Sequence, residues 1–114
     1  MTLARRLFEL AAKHSELEAM THNLSITTLR YVPRELRDGT GSREIETYLN
    51  RLNQRLLEKI ENSWRAFCSN ALIDGRYALR FCIVNFRTST EDIEAIPDLV
   101  TELGAQAHAE LWNQ

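Results

Sequence analysis

Apolar positions along this chain repeat first at helical spacing, then in alternation, and the changes of period mark its elements. Leu3, Leu7, Leu10 and Ala11 lie near helical spacing, which predicts a helix from Thr2 to Lys13 or His14. Ser15 and Glu16 read as a break and Leu17–Thr21 as a short strand. His22-Asn23 reads as a tight turn, because asparagine tolerates positive φ. Leu24–Val32, LSITTLRYV, is rich in β-branched and aromatic residues and predicts a strand that Pro33 ends. Residues 33–42, PRELRDGTGS, set one proline and two glycines among polar residues and predict a flexible loop inside one domain. Over 43–63, Ile45, Leu49, Leu52, Leu56, Leu57 and Ile60 form one stripe with charged residues opposite, the strongest helical pattern in the chain.

Two strand-like runs, Arg65–Ile73 and Arg76–Ile83, flank Asp74-Gly75, a two-residue hairpin signal. Thr88-Ser89-Thr90-Glu91 fits a capping box with Thr88 as N-cap. The helix it opens carries Ile93, Ile96, Leu99, Val100, Leu103 and Ala107. Pro97 inside that pattern has no N–H for the carbonyl of Ile93, which predicts a kink or a restart; Gly104 should weaken the second half. The order is α-β-β-α-β-β-α. Adjacent hairpins and amphipathic helices predict an α+β fold: a two-layer domain, mostly an antiparallel four-stranded sheet, with three helices on one face. With 114 residues, the chain reads as a single domain over 1–114.

The hairpin turn sets a register in which paired residue numbers sum to 149. Tyr77 then faces Leu72 and Phe81 faces Cys68 on the core side. Arg80 faces Ser69, and Cys82 faces Phe67, on the other side. The two cysteines thus lie on opposite faces and cannot form a disulfide. Cys68 reads as a small core hydrophobe. The second face, with Arg80, Arg76, Phe67 and Ile73, is too apolar for free solvent and should meet another domain or chain. Arg80 has two readings. Its guanidinium could form a cross-strand ion pair while its stem covers a partner surface. Alternatively its planar fork captures a carboxylate or phosphate.

Other chemistry is thinly represented. A net charge of −2 gives no reason to expect nucleic acid or an acidic membrane. None of Gly39, Gly41, Gly75 and Gly104 falls in a phosphate-loop or dinucleotide pattern. His14, His22 and His108 have no metal-ligand spacing, and the cysteines no CxxC spacing. Trp64 and Phe67 read as core aromatics rather than a ligand platform. Arg5, Arg6, Arg34, Arg37 and Arg43 alternate with acidic residues and read as a solvated face. The amphipathic N-terminus has no uninterrupted apolar stretch, so no signal peptide is expected; with two cysteines this points to a reducing, cytoplasmic setting.

One resemblance covers nearly the whole chain. Leu56-Leu57-Glu58-Lys59-Ile60-Glu61-Asn62, Gly75-Arg76-Tyr77-Ala78-Leu79-Arg80-Phe81 and Asn85-Phe86-Arg87-Thr88-Ser89-Thr90-Glu91-Asp92-Ile93 resemble the C-terminal end of the pyridoxal-phosphate-dependent group II amino acid decarboxylases. Asn23–Tyr31 looks like an upstream strand of the same family. The match is specific over residues 74–93 and loose before residue 40, and the aromatic-type members look closer than the glutamate type.

The resemblance implies a small C-terminal domain that docks on a large pyridoxal-phosphate-binding domain within a homodimer. It implies that Arg80 lies near the active site, contacting the substrate carboxylate or supporting that region. Arg76, Cys82, Ser69 and Phe67 would then line the docking face. Such enzymes need a Schiff-base lysine, an aspartate for the pyridine nitrogen and a stacking histidine. Lys13 and Lys59 are the only lysines here, and neither has the family's histidine-lysine context. The expectation is therefore a fragment that lacks the large domain and is inactive alone. The rival expectation is a non-enzymatic α+β module that dimerises or binds a small anion through the Arg80 face.

Overall fold

A computed structural model describes residues 3–23, 25–63, 68–82 and 90–112. Helix α1 spans Leu3–Lys13, strands β1 and β2 Leu17–His22 and Ile26–Tyr31, and α2 Arg43–Ser63. The second hairpin is β3, Ser69–Ile73, and β4, Arg76–Cys82, and α3 spans Thr90–Trp112. The sheet is antiparallel in the order β1-β2-β4-β3. The α+β class and the element order are as the pattern predicts.

The second hairpin has the predicted register, from Ser69 opposite Arg80 to Ile73 opposite Arg76. Its turn places Asp74 at φ 53° and Gly75 at φ 80°, the paired positive values that a two-residue turn needs to match strand twist. At the first hairpin, Asn23 accepts the N–H groups of Ser25 and Ile26 at its Oδ1, so its side chain builds the turn.

The core lies between the helices and one sheet face. The α2 stripe delivers Leu49, Leu52, Leu56 and Ile60, all fully buried, against Leu29, Leu79 and Phe81. α1 contributes Leu7 and Ala11, and α3 contributes Ile93, Val100 and Ala107. Cys68 packs at the margin of this cluster, and burial, with Glu61 nearby, pushes its thiol up to about 12. Cys82 is exposed, and both cysteines are free.

Asparagines of α2 complete the sheet. The β2–β4 pairing ends at Leu29 opposite Leu79. Beyond it, Asn53 accepts the Tyr31 N–H at 2.8 Å and donates to the Tyr31 carbonyl at 3.0 Å. Three residues earlier on the same helix face, Asn50 accepts the Tyr77 N–H at 2.8 Å and donates to the Gly75 carbonyl at 3.1 Å. These amides satisfy backbone groups that would otherwise be orphaned where the strands part. They also seat α2 at that end of the sheet.

Several expectations are corrected. The segment 33–42 carries a 3-10 helix, Arg34–Gly39, with Leu36 buried. Arg37 pins it by donating to the carbonyls of Ser15 and Leu17 at 2.7 and 3.0 Å, so this arginine is not merely solvated. The third strand is described from Ser69, with Cys68 outside it, and the start of the expected run at 65–67 lies outside the described residues. Leu72 points to the helix side, but β3 is the edge strand at the margin of the helix layer, and the side chain is 68% exposed. α3 runs through Pro97 as one helix with no restart, because buried Ile93, Leu99 and Val100 anchor it on both sides of the proline. The capping box at Thr88 and the placements of Trp64 and Phe67 lie outside the described residues.

Candidate functional site

The face of the sheet opposite the helices carries three arginines, Arg30, Arg76 and Arg80, in two different settings. Arg30, on β2, has a fully buried side chain. Its Nε bonds Glu18 of β1, while its two terminal nitrogens each donate to a Glu46 oxygen at 3.1 Å. Arg76 of β4 joins the same two acids, with its Nε 3.1 Å from Glu46 and Nη1 3.4 Å from Glu18. Two cations and two anions thus close a network from three strands and α2. The opposite charges and the bidentate Arg30–Glu46 fork together offset the cost of burying the Arg30 charge. Burial raises the Glu46 carboxyl, but hydrogen bonds from Arg30 and the Gly41 N–H and the nearby Arg30 and Arg76 charges outweigh it, leaving it below the usual carboxylate range.

Arg80 stands in a different row. Register places Thr28 of β2 on one side of it and Ser69 of β3 on the other, with Thr21 opposite Thr28. The row therefore reads Thr21, Thr28, Arg80, Ser69 across the whole sheet. The Thr28 and Thr21 hydroxyls are 2.6 Å apart and occupied with each other, and the Thr21 N–H also donates to Thr28. Ser69 is exposed and Arg80 half-buried. Among the described residues, no hydrogen bond or ion pair engages the Arg80 guanidinium, whereas Arg30 and Arg76 are both paired. A half-buried cation with a hydroxyl beside it and no carboxylate opposite can bind an anion from outside.

The sequence-derived site residues divide accordingly. Arg80, Ser69 and Cys82 share the open part of this face, with Cys82 opposite Ile26. Arg76 lies on the same face but is committed to Glu18 and Glu46. Phe67 lies outside the described residues. The sequence reading missed Glu18, Arg30 and Glu46. The alternation used for β4, applied to β2, places Ile26, Thr28 and Arg30 on one face and would have exposed Arg30. Nothing local marks Glu46 as its partner.

Among the described residues, neither lysine stands in a setting that fits a pyridoxal-phosphate Schiff base. Lys59 donates to Glu110 at 2.9 Å across the α2–α3 surface, and Lys13 is exposed at the end of α1. Neither faces the Arg80 row. No described helix is long and apolar enough to cross a membrane.

The fold recurs in known enzymes. Mouse CSAD matches with a TM-score of 0.79 at 21% identity, over 90% of this chain and 22% of that one. Oryza sativa TDC with PLP and tryptamine gives 0.74 at 18% identity, over 91% of this chain and 21% of that one. Catharanthus roseus tryptophan decarboxylase in complex with L-tryptophan gives 0.71 at 20% identity, over 92% and 20%. At these identities the likeness establishes the fold, and this chain spans about a fifth of the length of those structures. No protein-family profile and no curated protein matches the chain.

Proposed function

We propose that this chain is the C-terminal small domain of a pyridoxal-phosphate-dependent amino acid decarboxylase, working in the cytoplasm as part of a homodimer. The large domain supplies the cofactor and its lysine. This chain contributes the second sheet face, on which Arg80 receives the substrate carboxylate or braces the domain interface. The observation that carries the reading is the Arg80 guanidinium, which no hydrogen bond or ion pair engages among the described residues, on the sheet face opposite the helices. The fold likeness over nine-tenths of the chain, and over only a fifth of the decarboxylases, supports it. Arg30 and Arg76 keep that face in shape, holding β1, β2, β4 and α2 together so that Arg80 is presented on a rigid floor.

Alone, the chain is inactive in this reading, because it has no lysine in a Schiff-base setting. Added pyridoxal phosphate should therefore leave no stoichiometric borohydride-reducible adduct; such an adduct on Lys59 would overturn the reading. The supporting result is a genomic one: a neighbouring or continuous reading frame encoding a large α/β domain with a histidine-lysine pair. With that partner co-expressed, Arg80→Gln should raise KM for the amino acid by ten-fold or more, with the isolated domain's stability changing by under about 0.5 kcal/mol. Without any such partner, the Arg80 face belongs to a non-enzymatic module that binds a small anion or dimerises.

A further inference from the structure

The two edges of the sheet are built differently. β1, at one edge, carries Glu18 and His22 and has an irregular register between Ala19 and Thr21. A charge and a bulge are what natural sheets use to stop an edge from pairing with another chain. β3, at the other edge, reads Ser69-Asn70-Ala71-Leu72-Ile73: five residues, no charge, no proline, and a regular register with β4 throughout. Among the described residues, only β4 pairs with it. Leu72 on that strand is 68% exposed, the most exposed large apolar side chain among the described residues.

We infer that β3 pairs antiparallel with β3 of a second copy, joining two four-stranded sheets into one of eight strands. The strand is self-complementary. With the two-fold axis at Ala71, Ser69 opposes the partner's Ile73 and Asn70 opposes the partner's Leu72, so no like charges meet anywhere along the seam. Asn70 and Leu72 share a face, which brings the two Leu72 side chains into diagonal contact and covers both. A foreign strand would need to match this neutral pattern, whereas a second copy matches it by symmetry. This surface is the sheet edge; it shares Ser69 with the Arg80 row but does not use the Arg80 guanidinium, so it stands or falls separately from the decarboxylase reading.

The test is sedimentation of the whole chain over a wide concentration range, with amide exchange of residues 69–73 at the two ends of that range. The expected result is a concentration-dependent dimer in which the β3 amides gain protection. Asn70→Lys with Leu72→Lys, both at exposed positions, sets lysines opposite lysines and should weaken the dimer at least about ten-fold. Ala95→Lys, on the exposed side of α3, adds charge elsewhere and should leave the dimer intact. Circular dichroism checks that each variant is folded. A chain monomeric at every concentration overturns the inference. So does a dimer that survives the double lysine variant, or one whose β3 amides gain no protection.

Discussion

Replacing Gly104 by alanine should destabilise the protein, although helix propensity alone argues the opposite. Alanine is favoured over glycine inside a helix by about 1 kcal/mol, and Gly104 lies inside α3. However, a Cβ at that position would stand 2.8 Å from Tyr31 Cδ2 and Cγ and 2.9 Å from Cδ1. Carbon atoms prefer separations of about 3.5–4.0 Å, so ring or helix must retreat by roughly 0.7 Å or more. The ring has little room to do so. Tyr31 is 2% exposed, Asn53 holds its backbone N–H and carbonyl, and its hydroxyl reaches Glu16 at 3.4 Å. Overpacking of a closed core costs about 1–3 kcal/mol, and retreat of α3 would open gaps around Val100 and Leu103. Because all three contacts fall below 3.0 Å, the cost belongs in the upper half of that range, about 2–3 kcal/mol, and the clash wins by about 1–2 kcal/mol net of propensity.

Urea unfolding measures this directly. With a slope of about 2 kcal/mol/M, the middle of the range for a small domain, the midpoint should fall by roughly 0.5–1 M with the slope unchanged. A midpoint equal to or above that of the parent would refute the reasoning. Tyr31→Leu supplies the control: once the ring is gone, the added methyl should cost little, and the non-additivity of the pair reports the contact itself.

Glu46→Gln removes one of the two acids that neutralise buried Arg30 and should cost about 3 kcal/mol, the low end for a broken buried pair because Glu18 remains. The Glu46 carboxyl is held below its ordinary range, so its contribution is full above the unfolded carboxylate value and lost as pH falls through the folded one. The parent should accordingly lose stability toward acid more steeply than the variant; parallel acid limbs in urea unfolding against pH would rule this out. The cysteines should react with a thiol reagent in two phases, Cys82 fast and Cys68 slow, because burial pushes the Cys68 thiol up to about 12 and leaves almost no thiolate at neutral pH. Cys82→Ser should remove the fast phase alone, and equal rates for both thiols would contradict the placement.

Local pattern was enough for the hairpin register and for the faces of the amphipathic elements, though not for the 3-10 helix at Arg34–Gly39. Alternation and Asp74-Gly75 specified the β3–β4 register to the residue, because a two-residue turn with both φ angles positive permits only one pairing. From that register follow the face of Arg80, its neighbour Ser69 and the separation of the cysteines. The apolar stripe of α2 likewise named its buried residues. Long-range partnership decided the rest. Whether an arginine on that face is free or committed depends on acids far away in sequence: Glu18 and Glu46 reach Arg30 and Arg76, and neither reaches Arg80. Asn50 and Asn53 read as ordinary polar residues of a helix until the parting of β2 and β4 shows which backbone groups they serve. Exposure of Leu72 follows from strand order, which alternation cannot reveal, and Gly104 reads as a weak point until Tyr31 is seen against it. Spacing along the chain determines which side of an element a residue occupies. Only the packed structure determines what waits on that side, because the partners are brought there by the rest of the fold.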